Sequence, residues 1–239
     1  MPLRHPAAPY VAPFLLFILC LAALPRLALP PRVELPVWLL SGFSAVWFFS
    51  RGVLDFRPRF PLSSFLFGIG VFVLWIAPDA LAPEWRGHWL FSNPFLGRPE
   101  SSLSASALAD PLALALRTAR AVLLVPVVEE LFWRGWLMRW LENPDFQQVP
   151  PGSYHRKAFW TTAALFALEH GSYWDVGFLA GAAYNAWMVR TKSLADLMLE
   201  GKFAYGDTVV DAGPEARELE FRKKEEVGPQ PRREEAGVK

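Results

Sequence analysis

Cysteine is almost missing from this chain. Cys20 stands alone among 239 residues, which excludes an internal disulfide and a thiolate metal cluster. Histidine is nearly as scarce, with four in all, and no HExxH pair occurs, so the helix-borne zinc site of common metalloproteases is absent. Net charge is also close to nil: 24 basic against 23 acidic residues leave +1, and nothing directs the chain to nucleic acid. Most of the apolar runs contain no acidic residue at all. What the sequence does have is apolar and aromatic bulk, with 53% hydrophobic residues, 11 Trp and 19 Phe. That composition suits one polytopic membrane domain better than a soluble one. Cys20 falls inside the first apolar run, where it faces lipid or core.

The apolar runs cover residues 9–24, 35–50, 62–77, 112–140, 158–168 and 176–189. Each approaches bilayer length, so the expected fold is an all-α bundle of about six transmembrane helices. Arg4 and His5 before the first run imitate a signal peptide, but further spans follow, and the first helix reads as retained. Between Pro78 and Ala105, Trp85, His88, Trp89 and Phe91 suggest an interfacial segment at the headgroups, with His88 an interfacial rather than catalytic histidine. Residues 1–203 are expected to form the membrane domain, and 204–239 a charged, disordered cytoplasmic tail. The tail ends in Gly-Val-Lys, without the cysteine that lipidation needs. Arg4, the group Arg51, Arg57 and Arg59, the group Arg139, Arg156 and Lys157, and the pair Arg190 and Lys192 fall on one side of such a bundle. The positive-inside bias makes that side, and both termini, cytoplasmic in a bacterial inner membrane.

Within the fourth run lies Val127-Val128-Glu129-Glu130-Leu131-Phe132-Trp133-Arg134. Charge at membrane depth is expensive and is kept where it is paired and used. Glu130 and Arg134 have the i,i+4 spacing of helix neighbours, so a structural pair accounts for one carboxylate and leaves Glu129 over. Glu129 precedes Arg139 by ten residues and His170 follows Lys157 by thirteen. At about 1.5 Å per residue these groups lie roughly 15 and 20 Å from one rim, deep enough to meet near mid-membrane. A carboxylate and an imidazole in a dry cavity are parts of a water-activating site. Gly177 and Gly181 in the sixth run have GxxxG spacing, which permits close helix approach.

Glu129-Glu130-x-x-x-Arg134 followed by Phe166-x-x-x-His170 resembles the CPBP family, the intramembrane CAAX-type proteases of the Rce1 kind and their bacteriocin-processing relatives. Through Phe166-Ala167-Leu168-Glu169-His170 and Gly181-Ala182-Ala183-Tyr184-Asn185 the likeness is nearer to bacterial CAAX-protease-related proteins, some of which accompany exosortase sorting systems. The resemblance spans about residues 117–196. It implies glutamate-dependent hydrolysis of peptide bonds in membrane-associated or exported proteins, without cofactor or metal, and allows an exosortase-type partner. In that reading Glu129 is the general base, and Glu130 assists it or pairs with Arg134. His170 holds the water or stabilises the oxyanion, while Phe166 seals the pocket or simply packs. Asn185 supplies a polar group or an interhelical hydrogen bond. Glu169 points about 100° away from His170 around the helix, behind the site or into a pore.

The sequence departs from the family at its third motif, HxxxN or HxxxD. Ser193-Leu194-Ala195-Asp196 supplies the usual start, but Gly201 and Tyr205 occupy the places of the histidine and its partner. The last apolar helix gives way to the charged tail, as if the chain were truncated or frame-shifted, or had lost part of its oxyanion site. Losing one oxyanion donor costs on the order of 10²–10³ in rate, so lowered or lost activity is part of the expectation. Two other classes compete. Zinc on His170, Glu129 and Glu130 would leave no base and strain the adjacent glutamates. A non-catalytic scaffold or immunity-type protein of the same fold would tolerate the missing motif.

Overall fold

The computed structural model describes residues 5–82, 84–93 and 110–204, and of 202–204 the backbone only. Seven helices carry the described fold, and no strand occurs among these residues. Helix α1 spans Ala8–Ala23 and tightens into a 3₁₀ turn, Leu24–Leu27. Helix α2, Pro31–Ala45, widens into a π turn, Val46–Ser50, and α3 spans Pro61–Leu81. Helix α4 runs from Pro111 to Trp140 with π turns at Arg120–Leu124 and Leu131–Leu137. Helices α5 (Arg156–Glu169), α6 (Trp174–Thr191) and α7 (Leu194–Ala204) complete the set. Prolines open α2, α3 and α4, where the missing N–H has no helical partner to lose.

Four helices are long and apolar enough to cross a membrane: Ala8–Leu27, Pro31–Ser50, Pro61–Leu81 and Pro111–Trp140. These are four of the six expected spans, counted by length and composition among the described residues. Helix α5 has only 14 residues, about 21 Å at 1.5 Å each, and α6 has 18 that include Asp175 and Asn185. Together they form a hairpin turned by His170–Tyr173. The chain is a multi-pass membrane protein in which this hairpin and α7 pack among the long helices.

The segments that carry Arg51 to Arg59, Arg139, and Arg190 and Lys192 meet at one end of the described fold. There Ser50 Oγ donates to the Pro9 carbonyl, Tyr10 meets Phe146 edge-on at 5.5 Å, and Arg139 donates to the Val149 carbonyl at 2.8 Å. At the opposite end Arg32 pairs with Asp110, which also caps α4 through the Leu112 N–H. The interfacial segment is more than a headgroup anchor. Buried Arg86 joins Asp79 at the end of α3 to Asp175 at the start of α6 and donates to the Ser172 carbonyl. Its guanidinium also lies over Tyr173 and Phe91, so the segment is clamped across the tip of the hairpin. His88 takes part only locally, accepting from the Leu90 N–H.

Gly177 and Gly181 set how closely α5 and α6 approach. A Cβ on Gly181 would sit 3.1 Å from Phe166 Cδ1 and 3.2 Å from Ala163 Cα; one on Gly177 would sit 3.2 Å from His170 Cβ. The weak small-residue pattern therefore marks the helix contact that seats Phe166 and His170. Gly181→Ala should destabilise the detergent-solubilised protein by roughly 1–3 kcal/mol, the usual cost of overpacking. Thermal unfolding measures it, and an unchanged midpoint would mean the two helices have slack at this point.

Candidate functional site

The site is built on a distorted stretch of α4. Pro126 has no N–H to return to the preceding turn, and the chain accommodates this with the π turn Arg120–Leu124 just before it. One regular helical segment, Val125–Glu130, carries both glutamates, and a second π turn begins at Leu131. Such wide turns inside helices are frequent at functional sites. Glu129 and Glu130 are each 5% exposed and Arg134 is wholly enclosed.

Arg134 is the hub. It donates to Glu130 Oε1 at 2.9 Å, to Asn185 Oδ1 at 2.9 Å and to the Gly181 carbonyl at 3.2 Å. Its plane lies 4.8 Å from the Phe166 ring and 5.2 Å from that of Tyr184. A guanidinium between two aromatic faces with its N–H groups on oxygens is a favourable way to enclose a charge. Asn185 also donates to the Phe159 carbonyl at 2.8 Å, so it ties α4, α5 and α6 together. That is the interhelical bond expected of it, made twice.

Phe166 links this hub to His170. Its ring meets Trp133 edge-on at 5.7 Å and lies 4.5 Å from the His170 ring. His170 ends α5, and its Nδ1 stands 2.7 Å from the Phe166 carbonyl. A carbonyl only accepts, so Nδ1 carries the proton and Nε2 of the neutral ring keeps its lone pair free for a ligand. Trp75 of α3 closes the other side of the ring at 5.0 Å. Thus Glu130, Arg134, Phe166, His170 and Asn185 form one connected set. Glu129 lies beside it, within electrostatic range of Tyr184. Glu169, the last residue of α5, is exposed, with Trp133 and Arg134 within electrostatic range.

Sequence reasoning passed over three residues. Tyr184 is buried against Arg134 and Phe166, Trp133 packs under Phe166, and Glu200 of α7 is fully enclosed beside them. Glu200 did leave a signal, a lone acid in Leu197-Met198-Leu199-Glu200-Gly201, the kind of intramembrane charge that asks for a use. Gly201, one residue on, has no space for a histidine. A Cβ there would lie 2.8 Å from Pro126 Cβ, so α7 rests on the kinked part of α4. Tyr205 and the charged tail lie outside the described residues. Among the described residues no cluster of three or more His, Cys, Asp or Glu is arranged to hold a metal ion.

Fold and site together define a polytopic helical membrane protein with an enclosed carboxylate–guanidinium–imidazole constellation. The family model described as type II CAAX prenyl endopeptidase Rce1-like matches residues 111–199, and the chain carries an Rce1-like domain over that stretch, from the start of α4 into α7. That family is one of CAAX-type proteases, which aligns the chain with hydrolases acting at the bilayer on membrane-protein substrates. The match has no bearing on an exosortase-type partner. No curated protein and no solved structure matches the chain.

Proposed function

We propose that this protein is a glutamate-dependent intramembrane endopeptidase that cleaves membrane-associated or exported proteins. The observation that carries this reading is the enclosed Glu129-Glu130-Arg134 set joined through Phe166 to a histidine with a free Nε2, inside an Rce1-like domain. Glu129 takes a proton from water, and the hydroxide oxygen bonds to the scissile carbonyl carbon. As the carbon–nitrogen bond breaks, the same proton passes to the leaving amine. Arg134 is occupied by Glu130 and so leaves Glu129 as the base. His170 Nε2, an acceptor in the neutral ring, holds a hydrogen of the attacking water; acting on the oxyanion would require a second ring proton. The basic end of the bundle supports a bacterial inner-membrane orientation with both termini in the cytoplasm.

The test compares protein termini by mass spectrometry in cells carrying the native chain or Glu129→Gln at matched expression. Loss of a general base lowers rate by roughly 10²–10⁴, so a defined set of cleavages should vanish. Identical maps would favour a second reading, a non-catalytic scaffold of the same fold. The close seat of Gly201 on Pro126, which leaves no room for a third-motif histidine, supports that alternative.

A further inference from the structure

The turn that begins at His170 is held from outside its own hairpin. Gly171 follows in the left-handed region, at φ 53°, so α5 stops here and the chain turns into α6. The His170 carbonyl accepts from the Tyr173 N–H at 3.0 Å, and the His170 ring rests on Trp75 at 5.0 Å. Tyr173 in turn lies 6.4 Å from Trp75. Arg86 grips the same turn. It donates to the Ser172 carbonyl at 3.1 Å, lies 4.6 Å from the Tyr173 ring and pairs with Asp175 in the first turn of α6. Through Nε it also donates to Asp79 at 2.9 Å. Trp75 and Asp79 stand four residues apart on α3, so they share one helix face. The contacts therefore close a ring. Helix α3 meets the His170 side chain through Trp75 and holds the His170 turn through Asp79 and Arg86.

Arginine suits this place. Arg86 is only 6% exposed, so its charge is met by Asp79 and Asp175 rather than by water. A planar fork serves carboxylates on two helices and a carbonyl at once, which a lysine on its flexible stem does not do in fixed geometry. The His170 ring, for its part, is placed by Nδ1 on the Phe166 carbonyl and by the rings of Phe166 and Trp75. Those contacts hold only while Trp75 and the turn keep their places. We propose that Arg86 is a positioning residue of the site: by joining α3 to the hairpin tip, it seats the His170 ring between Phe166 and Trp75 with Nδ1 on the Phe166 carbonyl. Nε2 is then left free in one direction. This deepens the hydrolytic reading above, in which Nε2 holds the attacking water. Arg86 itself acts through the turn and touches no reacting atom.

Nitrogen-15 NMR of the histidine-labelled full chain in detergent tests this without a substrate. The chain has four histidines, and His170→Gln identifies the signal by its loss. Native His170 should appear as one neutral tautomer, with its proton on Nδ1. Arg86→Ala should turn it into a mixture of Nδ1–H and Nε2–H forms, because the ring then leaves the Phe166 carbonyl part of the time. Asp79→Ala cuts the tie to α3 but spares the Arg86–Asp175 pair, and should give the same mixture to a smaller extent. Arg32→Ala removes a different ion pair at the same end of the bundle and should leave the signal native. A native signal in Arg86→Ala or in Asp79→Ala would overturn the proposal. So would a mixture in the native chain, or an equal disturbance by Arg32→Ala. Should Arg86→Ala fail to fold, the Asp79→Ala spectrum decides. Where a cleaved substrate is in hand, Arg86→Lys should lower kcat by about 10–10² with KM unchanged, the cost of a misplaced catalytic group. An unchanged kcat, or a raised KM in its stead, would count against Arg86 in this role. Absence of any cleavage by the native chain would sink the hydrolytic reading and leave the NMR outcome standing.

Discussion

Arg134→Ala should unfold or fail to accumulate, at a cost of about 3–5 kcal/mol, because it leaves an enclosed carboxylate without its counter-charge. Three hydrogen bonds end on this side chain, to Glu130, Asn185 and the Gly181 carbonyl, and two aromatic rings stack on it. Arg134→Lys tests how much of the effect is charge and how much is shape. A lysine keeps the ion pair but cannot serve three acceptors on two helices at once, nor lie flat between Phe166 and Tyr184. It should lose roughly 1–3 kcal/mol, the range for hydrogen bonds to a charged group and for acceptors left bare. The double variant Arg134→Met with Glu130→Met should recover most of the stability, since an apolar pair of similar volume removes both enclosed charges. Unfolding midpoints in detergent and expression level measure all three. Equal stability of native and Arg134→Lys would mean that Asn185 and Gly181 are spectators.

Asp196→Ala should be the next most damaging change, by about 3 kcal/mol, since it orphans the buried Ser64 hydroxyl and two part-buried backbone N–H groups. The first turn of α3 has no side-chain cap of its own, and Pro61 follows directly. Asp196, from the far end of the chain, holds the lead-in to α3 instead, accepting from the Arg59 and Phe60 N–H groups just before the helix and from the Ser64 hydroxyl in its first turn. A carboxylate at a helix N-terminus also meets the positive end of its dipole. Asp196→Asn keeps one acceptor oxygen and should recover part of the loss. Because α7 also carries Glu200, a loosened cap should let the site drift as well as the helix. Hydrogen exchange at the start of α3 and along α7 should rise together. A rise confined to one of them would break the link between cap and site.

The sequence by itself determined the class of the molecule. Long apolar runs with proline-marked starts are read locally, since each helix satisfies its own backbone in lipid. The charges that interrupt those runs announce a site because nothing else retains them there. Glu129, Glu130, Arg134 and His170 were legible on that ground, and the Glu130–Arg134 pair on spacing alone. Gly177 and Gly181 were legible as small residues, though not the helix they admit.

Tertiary structure decided what depends on partners distant in sequence. No spacing rule sets Arg86 across the hairpin tip between Asp79 and Asp175, or joins Asp196 to residues 59–64. The difference between Asp196 and Glu200 is of the same kind. They are two acids one turn apart in a short apolar helix, and the sequence gives no reason to treat them unequally. Only the packing of α7 between α3 and α4 surrounds the first with donors and encloses the second beside Tyr184, where low polarity makes burying a carboxyl group costly.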